Sequence, residues 1–376
     1  MYNDDFKRKF HVKVLNPSVN YWVVRAGEDA AFLPHFYENE LVAIGHLDSM
    51  EFLDSELRSS ASFLAVHARY KAYLKEKRNS KASIGNKSGQ VYRFVQEMKV
   101  GDIIVSLDEK HILTGIITSE AYKDSSQKNL RDKTGAIIGN ALTYSLRRDV
   151  SWGNRVSRSS APAAVRSSLR ANQAVFKVTE HWQTLNHWLS VIFTKDETIY
   201  FSSRIMQKDK ISNFDVSQFS HILNLFEAVS AKISESGYTD VHDIEKFVND
   251  VYRECSRNRD FHLKTQQSFM SPGDYWGSLS GDKVKNVIFV MAFCALFNSE
   301  AVFADGMEKD IADHHRDDVN EIVNHIKESY GFDYIKEGLK VNLPKPHKLS
   351  VSEDTGNAED NMLDFPTDEA SDTGEI

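Results

Sequence analysis

Cysteine is nearly absent: Cys255 and Cys294 are the only two in 376 residues, so neither a disulfide framework nor a cysteine zinc cluster can be assembled. Long apolar runs are also missing. The longest, Val287 to Phe297, has 11 residues, against about 20 for a bilayer-spanning helix. The opening MYNDDFKRKFHVKV lacks the apolar core of a secretory signal. These absences predict a cytoplasmic chain with no membrane partner. Several catalytic signatures are missing too: no phosphate-binding Gly-x4-Gly-Lys-Ser/Thr, no Gly-x-Ser-x-Gly, no His-Glu-x2-His and no kinase set occurs. From Lys195 onward, no lysine has Asp, Glu or Gln two positions before it. That removes the metal-dependent PD-(D/E)xK nuclease arrangement, which needs a carboxylate there.

What is present is unevenly spread. The net charge of −8 divides into +7 for residues 1–190, −6 for 191–350 and −9 for 351–376. Within the basic half, Lys123 to Arg170 holds ten basic residues against Asp124, Asp132 and Asp149, a concentration suited to phosphate. The length is enough for two cored domains and a tail.

Residues 1–19 read as a polar lead-in. From 20 to 190 the runs YWVV, LVAIG, DIIVSL, ILTGIIT and AVFKV are β-branched or aromatic and bounded by Gly, Asp or Asn, which predicts strands. Helices interrupt them at Ser60 to Arg78 and Gln90 to Met98. Residues 191–216 read as a linker holding one short strand, TIYFSS. Beyond it the period becomes helical. Phe219, Ile222, Leu223, Phe226, Val229 and Ile233 share one face of a helix expected to stop at Gly237. Further helices are expected over about 241–262, 282–297 and 308–330, that at 282–297 being a central core helix because it is apolar nearly all round. Residues 217–345 are thus read as an all-α bundle, and 346–376 as a disordered acidic tail with one apolar island at Met362 to Pro366.

The stretch YWVVRAGEDAAFLPHFYENELVAIGH at 21–46, followed in order by 91–122, 147–160 and VFKVTEHW at 175–182, resembles the PUA-like domains of the EVE type that begin many prokaryotic restriction and defence proteins. The resemblance implies an α+β fold: a mixed β-barrel with helices, then the helical bundle. It also implies that residues 20–190 lift a modified base from DNA into an aromatic cage, in phage defence or modification-dependent restriction. The cage would be lined by Trp22, His46, Tyr92 and Phe94, with Trp152 as an exposed platform. Many relatives carry Trp where this chain has His46. Trp22 and Phe94 suit a core equally well, and His46 suits a turn. Arg25, beside Gly27, suits a phosphate. Arg147, Arg148, Arg155 and Arg158 are the expected contacts to the nucleic-acid backbone, which position without specifying.

The acidic half offers two weaker constellations. Arg257-Asn258-Arg259-Asp260-Phe261-His262 is similar to the Arg-x4–6-His element of HEPN ribonucleases, which implies His262 as general acid or base and Arg257 as stabiliser of a charged phosphorane. Asp310, His314 and Asp318 are four apart on a helix, a spacing for a divalent metal. Otherwise the bundle is read as an effector or adaptor that binds a protein partner or a second copy of the chain.

Overall fold

In a computed structural model, the structure describes residues 8–131, 134–161, 163–170, 173–236, 243–268 and 273–345. The fold is α+β, a curled sheet with helices followed by a largely helical region. The expected stop at Gly237 and the expected acidic tail with its apolar island lie outside the described residues.

The first half is an eight-stranded sheet built from β3 (Tyr21–Val24), β4 (Leu41–Ile44), β5 (Ile103–Leu107), β6 (His111–Ile117), β7 (Tyr122–Lys123), β10 (Leu146–Trp152), β11 (Val156–Ser157) and β12 (Val175–Lys177). The order is β12-β3-β5-β6-β10-β4, with β11 on β6 and β7 on β10. β10 turns the corner of the curl, because Leu146 to Asp149 pair with β4 while Val150 to Trp152 pair with β6. The hairpin of β8 (Lys128–Arg131) and β9 (Ile137–Leu142) belongs to neither large sheet.

Both faces of the curled sheet are covered, which is why β3, β4 and β5 are buried at every position and read as continuous apolar runs rather than alternating ones. Trp22, Val24 and Ile104 point into a core closed by α1 (Leu33–Glu38), α2 (Ser60–Glu76) and α3 (Lys81–Tyr92). Tyr21, Val23, Ile103 and Val105 face a second core under α4 (Ala163–Ser168) and α5 (Trp182–Leu189). Helix α3 starts well before the expected Gln90, because the Ser80 side chain caps it by accepting from the Ser83 amide at 3.2 Å. It leads into one wide turn over Arg93–Glu97.

The second half keeps the expected amphipathic helices: α6 (Asn213–Ser236), α7 (Ile244–Asn258), α8 (Lys283–Leu296) and α9 (Met307–Ser329), followed by α10 (Phe332–Leu339). All six residues of the anticipated α6 face are buried, and α8 is buried on nearly every side. It is not made of helices alone. A six-stranded sheet runs β15-β16-β14-β13-β2, with β18 (Val341–Asn342) on β14. Its members are β2 (Lys13–Val14), β13 (Ile192–Lys195), β14 (Thr198–Ile205), β15 (Lys264–Ser268) and β16 (Gly273–Ser280).

Two boundaries therefore move. Residues 191–216, expected as a linker, supply the paired strands β13 and β14. The lead-in supplies β2, parallel to β13, and β1 (Arg8–His11), parallel to β17 (Ser299–Val302). Between the halves, α5 puts Leu185 and Trp188 into the outer core of the curled sheet. From the same helix, His187 stacks on Trp276 of β16 at 4.7 Å and 2° and meets the Ser202 hydroxyl at 2.9 Å.

Candidate functional site

The rim of the curled sheet carries an open cleft of 660 Å³ lined by three cations, Arg25, Lys110 and Arg158, and three carboxylates, Asp29, Asp108 and Glu109, with Gly27, Ala30 and Leu107 between them. Arg25 leaves the end of β3 and donates to the Leu169 carbonyl at 3.3 Å. Arg158 follows β11 and donates to the Asp108 carbonyl at 3.1 Å. Two guanidinium groups 133 positions apart in the chain thus reach one hollow. Burial, and then the charge of Arg158, lower the pKa of Arg25, a like-charge cost that a bound anion would relieve. Arg155 adds to the same rim, its Nη2 lying 2.7 Å from Nδ1 of His111. Burial works against the Asp108 carboxylate below it, but hydrogen bonds from the His111 and Lys110 amides and the His111 ring outweigh that and hold its pKa below the usual value.

Gly27, at φ +85°, joins this cleft to a second feature. The Tyr144 ring lies over Gly45, where a Cβ would come within 2.6 Å of its Cε1, so only glycine admits the ring there; its hydroxyl reaches toward Gly27, against which the Phe32 ring packs. Phe32 braces Tyr144 edge-on at 4.9 Å. His46 follows Gly45, and burial, reinforced by Lys87 and opposed by Asp48, lowers its pKa to about 4. It is therefore a neutral imidazole near pH 7, with one donor and one acceptor to offer.

Of the expected pocket residues, Arg25 lines the cleft and His46 follows Gly45, under the Tyr144 ring. Trp22, Phe94 and Trp152 are core residues. The Trp22 indole donates to the Asp102 carboxylate at 2.8 Å and the Trp152 indole to the Phe36 carbonyl at 2.7 Å, so Trp152 is no exposed platform. Tyr92 is 36% exposed, but it stands against Phe63 and His67 on the α2 and α3 side.

Of the expected phosphate contacts, Arg155 and Arg158 lie at the rim, while Arg147 and Arg148 are fully buried. Arg147 donates to the Tyr144 carbonyl and the Asp124 carboxylate at 2.8 and 2.5 Å. Arg148 donates to the carbonyls of Phe94, Ser119, Val95 and Met98 at 2.7 to 3.1 Å. Neither guanidinium has a donor turned to solvent, and their work is to satisfy loop carbonyls inside the fold. The sequence reading passed over Lys110, Tyr144 and Lys87. Gly27 and Gly45 were the available signal, because each marks a close approach.

In the second half, His262 is 59% exposed, pairs with Asp260 at 2.9 Å, and lines a 600 Å³ cleft with Lys264 and Lys285. Arg257, exposed in the last turn of α7, is not among its lining residues. Behind it, the buried Glu227 carboxylate accepts from the His262 and Leu263 amides at 2.7 and 3.0 Å and from Lys285 at 3.2 Å. Asp310 and His314 are exposed, and Asp318 leans instead to Nδ1 of His315, 3.8 Å away. Among the described residues no group of three or more His, Cys, Asp or Glu could hold a metal ion, so the expected triad does not converge. No helix among them is long and apolar enough to cross a membrane.

A family model described as a domain of unknown function (DUF8426) matches residues 22–171. No curated protein matches the chain, and no solved structure does. The match takes in Arg25, Gly27, Gly45, His46, Lys110, Tyr144, Arg155 and Arg158, and leaves out the cleft of His262.

Proposed function

We propose that the first half binds nucleic acid at the sheet rim, with a backbone phosphate between Arg25 and Arg158 and a base displaced from its stack presented to His46 and Tyr144. The observation that carries this reading is the shared cleft of the two arginines. Its 660 Å³ falls in the range of about 300–1,000 Å³ usual for ligand pockets. Lys110 and Arg155 add cations to a rim that also carries Asp29, Asp108 and Glu109, and the half that carries it is the basic one. A neutral His46 reads a base edge with a donor and an acceptor, while an aromatic face offsets the stacking lost on displacement. The resemblance to EVE-type domains makes modified double-stranded DNA the preferred target, and the second half an effector or adaptor in defence against phage.

A second reading, a metal-independent HEPN-like ribonuclease, draws on one observation: His262 is exposed on a cleft beside Asp260 and two lysines. One experiment tests both. The purified protein is mixed with unmodified, 5-methylcytosine and 5-hydroxymethylcytosine duplexes and with single-stranded RNA, with and without Mg²⁺, and binding and cleavage are scored together. Tighter binding to a modified duplex without cleavage supports the reader. RNA cleavage without metal that disappears in His262→Ala moves the ribonuclease reading first, and no salt-dependent binding to any of them removes the reader.

A further inference from the structure

The strap formed by β1 and β2 changes partner on its way across the second half. β1 runs beside β17 as far as His11 and Val302, and from Lys13 the chain lies beside β13 instead. Val12 is the crossing point, its amide still donating to the Val302 carbonyl at 2.9 Å. A strap that leaves one strand for another does not close the wedge between them. A hollow of 180 Å³ lies there, bounded below by Lys283, Asn286 and Val287 of the first turns of α8.

Its wall is apolar, made by Val12, Ile199, Val287 and Phe303, and Val14 extends it to the surface at 74% exposure. Its mouth is acidic: Asp196, Glu197, Asp282 and Glu308 line it against one cation, Lys283. Two of these carboxylates are already committed. Asp282 caps α8, accepting from the Lys285 amide at 3.0 Å and from the Ser234 hydroxyl at 2.7 Å, and Glu308 pairs with Lys283 at 3.2 Å. Asp196 and Glu197 have no side-chain hydrogen bond or ion pair among the described residues. Lys195 beside them does not supply one, because its ammonium lies over the Trp182 ring at 4.0 Å. The turn that carries the two free carboxylates is nonetheless held in place, since the Asn286 amide nitrogen donates to the Glu197 and Gly281 carbonyls at 3.0 Å each.

We propose that this hollow binds a small organic amine, with an apolar ring or branched chain against Val12, Ile199, Val287 and Phe303 and a primary ammonium at Asp196 and Glu197. Size sets the body: a cavity of about 150 Å³ lined by aliphatic and aromatic side chains accepts benzene, so 180 Å³ suits one six-membered ring with a short arm. Charge sets the head. An anion would meet two unpaired carboxylates and a neutral group would leave them unpaired, whereas an ammonium brings three donors. The site takes no residue from the sheet rim, so it stands or falls independently of the nucleic-acid reading. A ligand that touches the strap, β14 and α8 together also stabilises the second half as it binds.

The test is calorimetric titration of the full-length protein near pH 7 with benzylamine, benzyl alcohol and benzoate, which share a ring and differ in the head group. Benzylamine is expected to bind about fivefold more tightly than the alcohol, and benzoate most weakly. D196N/E197Q alters two exposed side chains, and asparagine tolerates the φ of +54° at position 196, so the fold is kept. That variant should bring benzylamine down to the affinity of benzyl alcohol and leave the alcohol unchanged. V287F, which puts a ring into the hollow, should abolish binding of both; if it does not fold, D196N/E197Q decides alone. Equal affinity for all three probes, a preference for the amine that survives D196N/E197Q, binding that survives in folded V287F, or no benzylamine binding up to millimolar concentration overturns the proposal.

Discussion

Arg148, in the middle of β10, and Arg158, ten residues further along, carry the same charge in different surroundings. Arg148 is enclosed by four carbonyls and lies 5.8 Å from the Phe94 ring. Burial lowers its pKa to about 10, against the pull of Glu120 and Asp102. Arg158 keeps one carbonyl bond and opens on a cleft shared with another arginine. A positive charge inside the curled sheet is fully committed to the fold, whereas one at its rim stands beside a like charge on an open cleft. Basic residues are therefore informative about binding only once their hydrogen-bond partners are counted.

The largest expected effect breaks the interior side of this comparison. Arg148→Ala leaves four carbonyls short of a donor and opens a hole beside Phe94, a loss of about 3–5 kcal/mol of stability. Arg158→Ala should change stability by less than about 0.5 kcal/mol. Urea denaturation of the two variants checks both, and an Arg148→Ala protein as stable as wild type would erase the distinction.

Histidines sharpen the comparison through pH. His187, buried between α5 and β16, has its pKa pushed down to about 3 by burial alone; His46 at the rim sits at about 4. In the unfolded chain both take up a proton near pH 6.5, so the folded state is the weaker proton binder. Their contribution to stability is complete above about pH 6.5 and is lost as the pH falls, at about 1.4 kcal/mol per unit for each site. The loss from His46 ends near pH 4, and that from His187 continues toward pH 3. Melting temperatures measured from pH 7 to 4 should fall, and His187→Phe should fall less steeply than wild type. A parallel decline in the two proteins would mean that other groups set the acid limit.

How much of this was legible beforehand depended on whether the signal was local. The helices of the second half declared themselves through a 3.6-residue period, and β3, β4 and β5 through apolar runs. The pairing of β1 with β17 was invisible, because Arg8 to His11 and Ser299 to Val302 lie some 290 positions apart and neither reads as a strand alone. β15, with sequence KTQQS, is an exposed edge strand whose composition resembles a loop. Around the cleft, Arg25 stood out through the neighbouring Gly27, His46 through the resemblance to EVE-type domains, and Arg155 and Arg158 through the basic cluster. Arg147 and Arg148 were misplaced for a physical reason: β10 is covered on both faces, so alternation no longer separates inside from outside, and an arginine satisfied by loop carbonyls leaves no mark in sequence.

The smallest expected effect tests the rim itself. Each phosphate neutralised on duplex DNA contributes about −0.9 to the slope of log affinity against log salt. If one phosphate sits between Arg25 and Arg158, then Arg25→Ala and Arg158→Ala should each weaken binding, equally for every base sequence, but leave that slope nearly unchanged, because the remaining guanidinium still neutralises the phosphate. The double variant is the sharper measurement. Two arginines on a single phosphate give a double variant whose slope flattens by about one, whereas two separate phosphates give a change of about one in each single variant and near two in the double. Removing one arginine also relieves the repulsion felt by the other, so the first loss is the smaller and the second, which leaves the phosphate without a cation, the larger. Additive losses would place the two guanidinium groups on different phosphates and make the cleft a passage along the backbone rather than a seat for one anion.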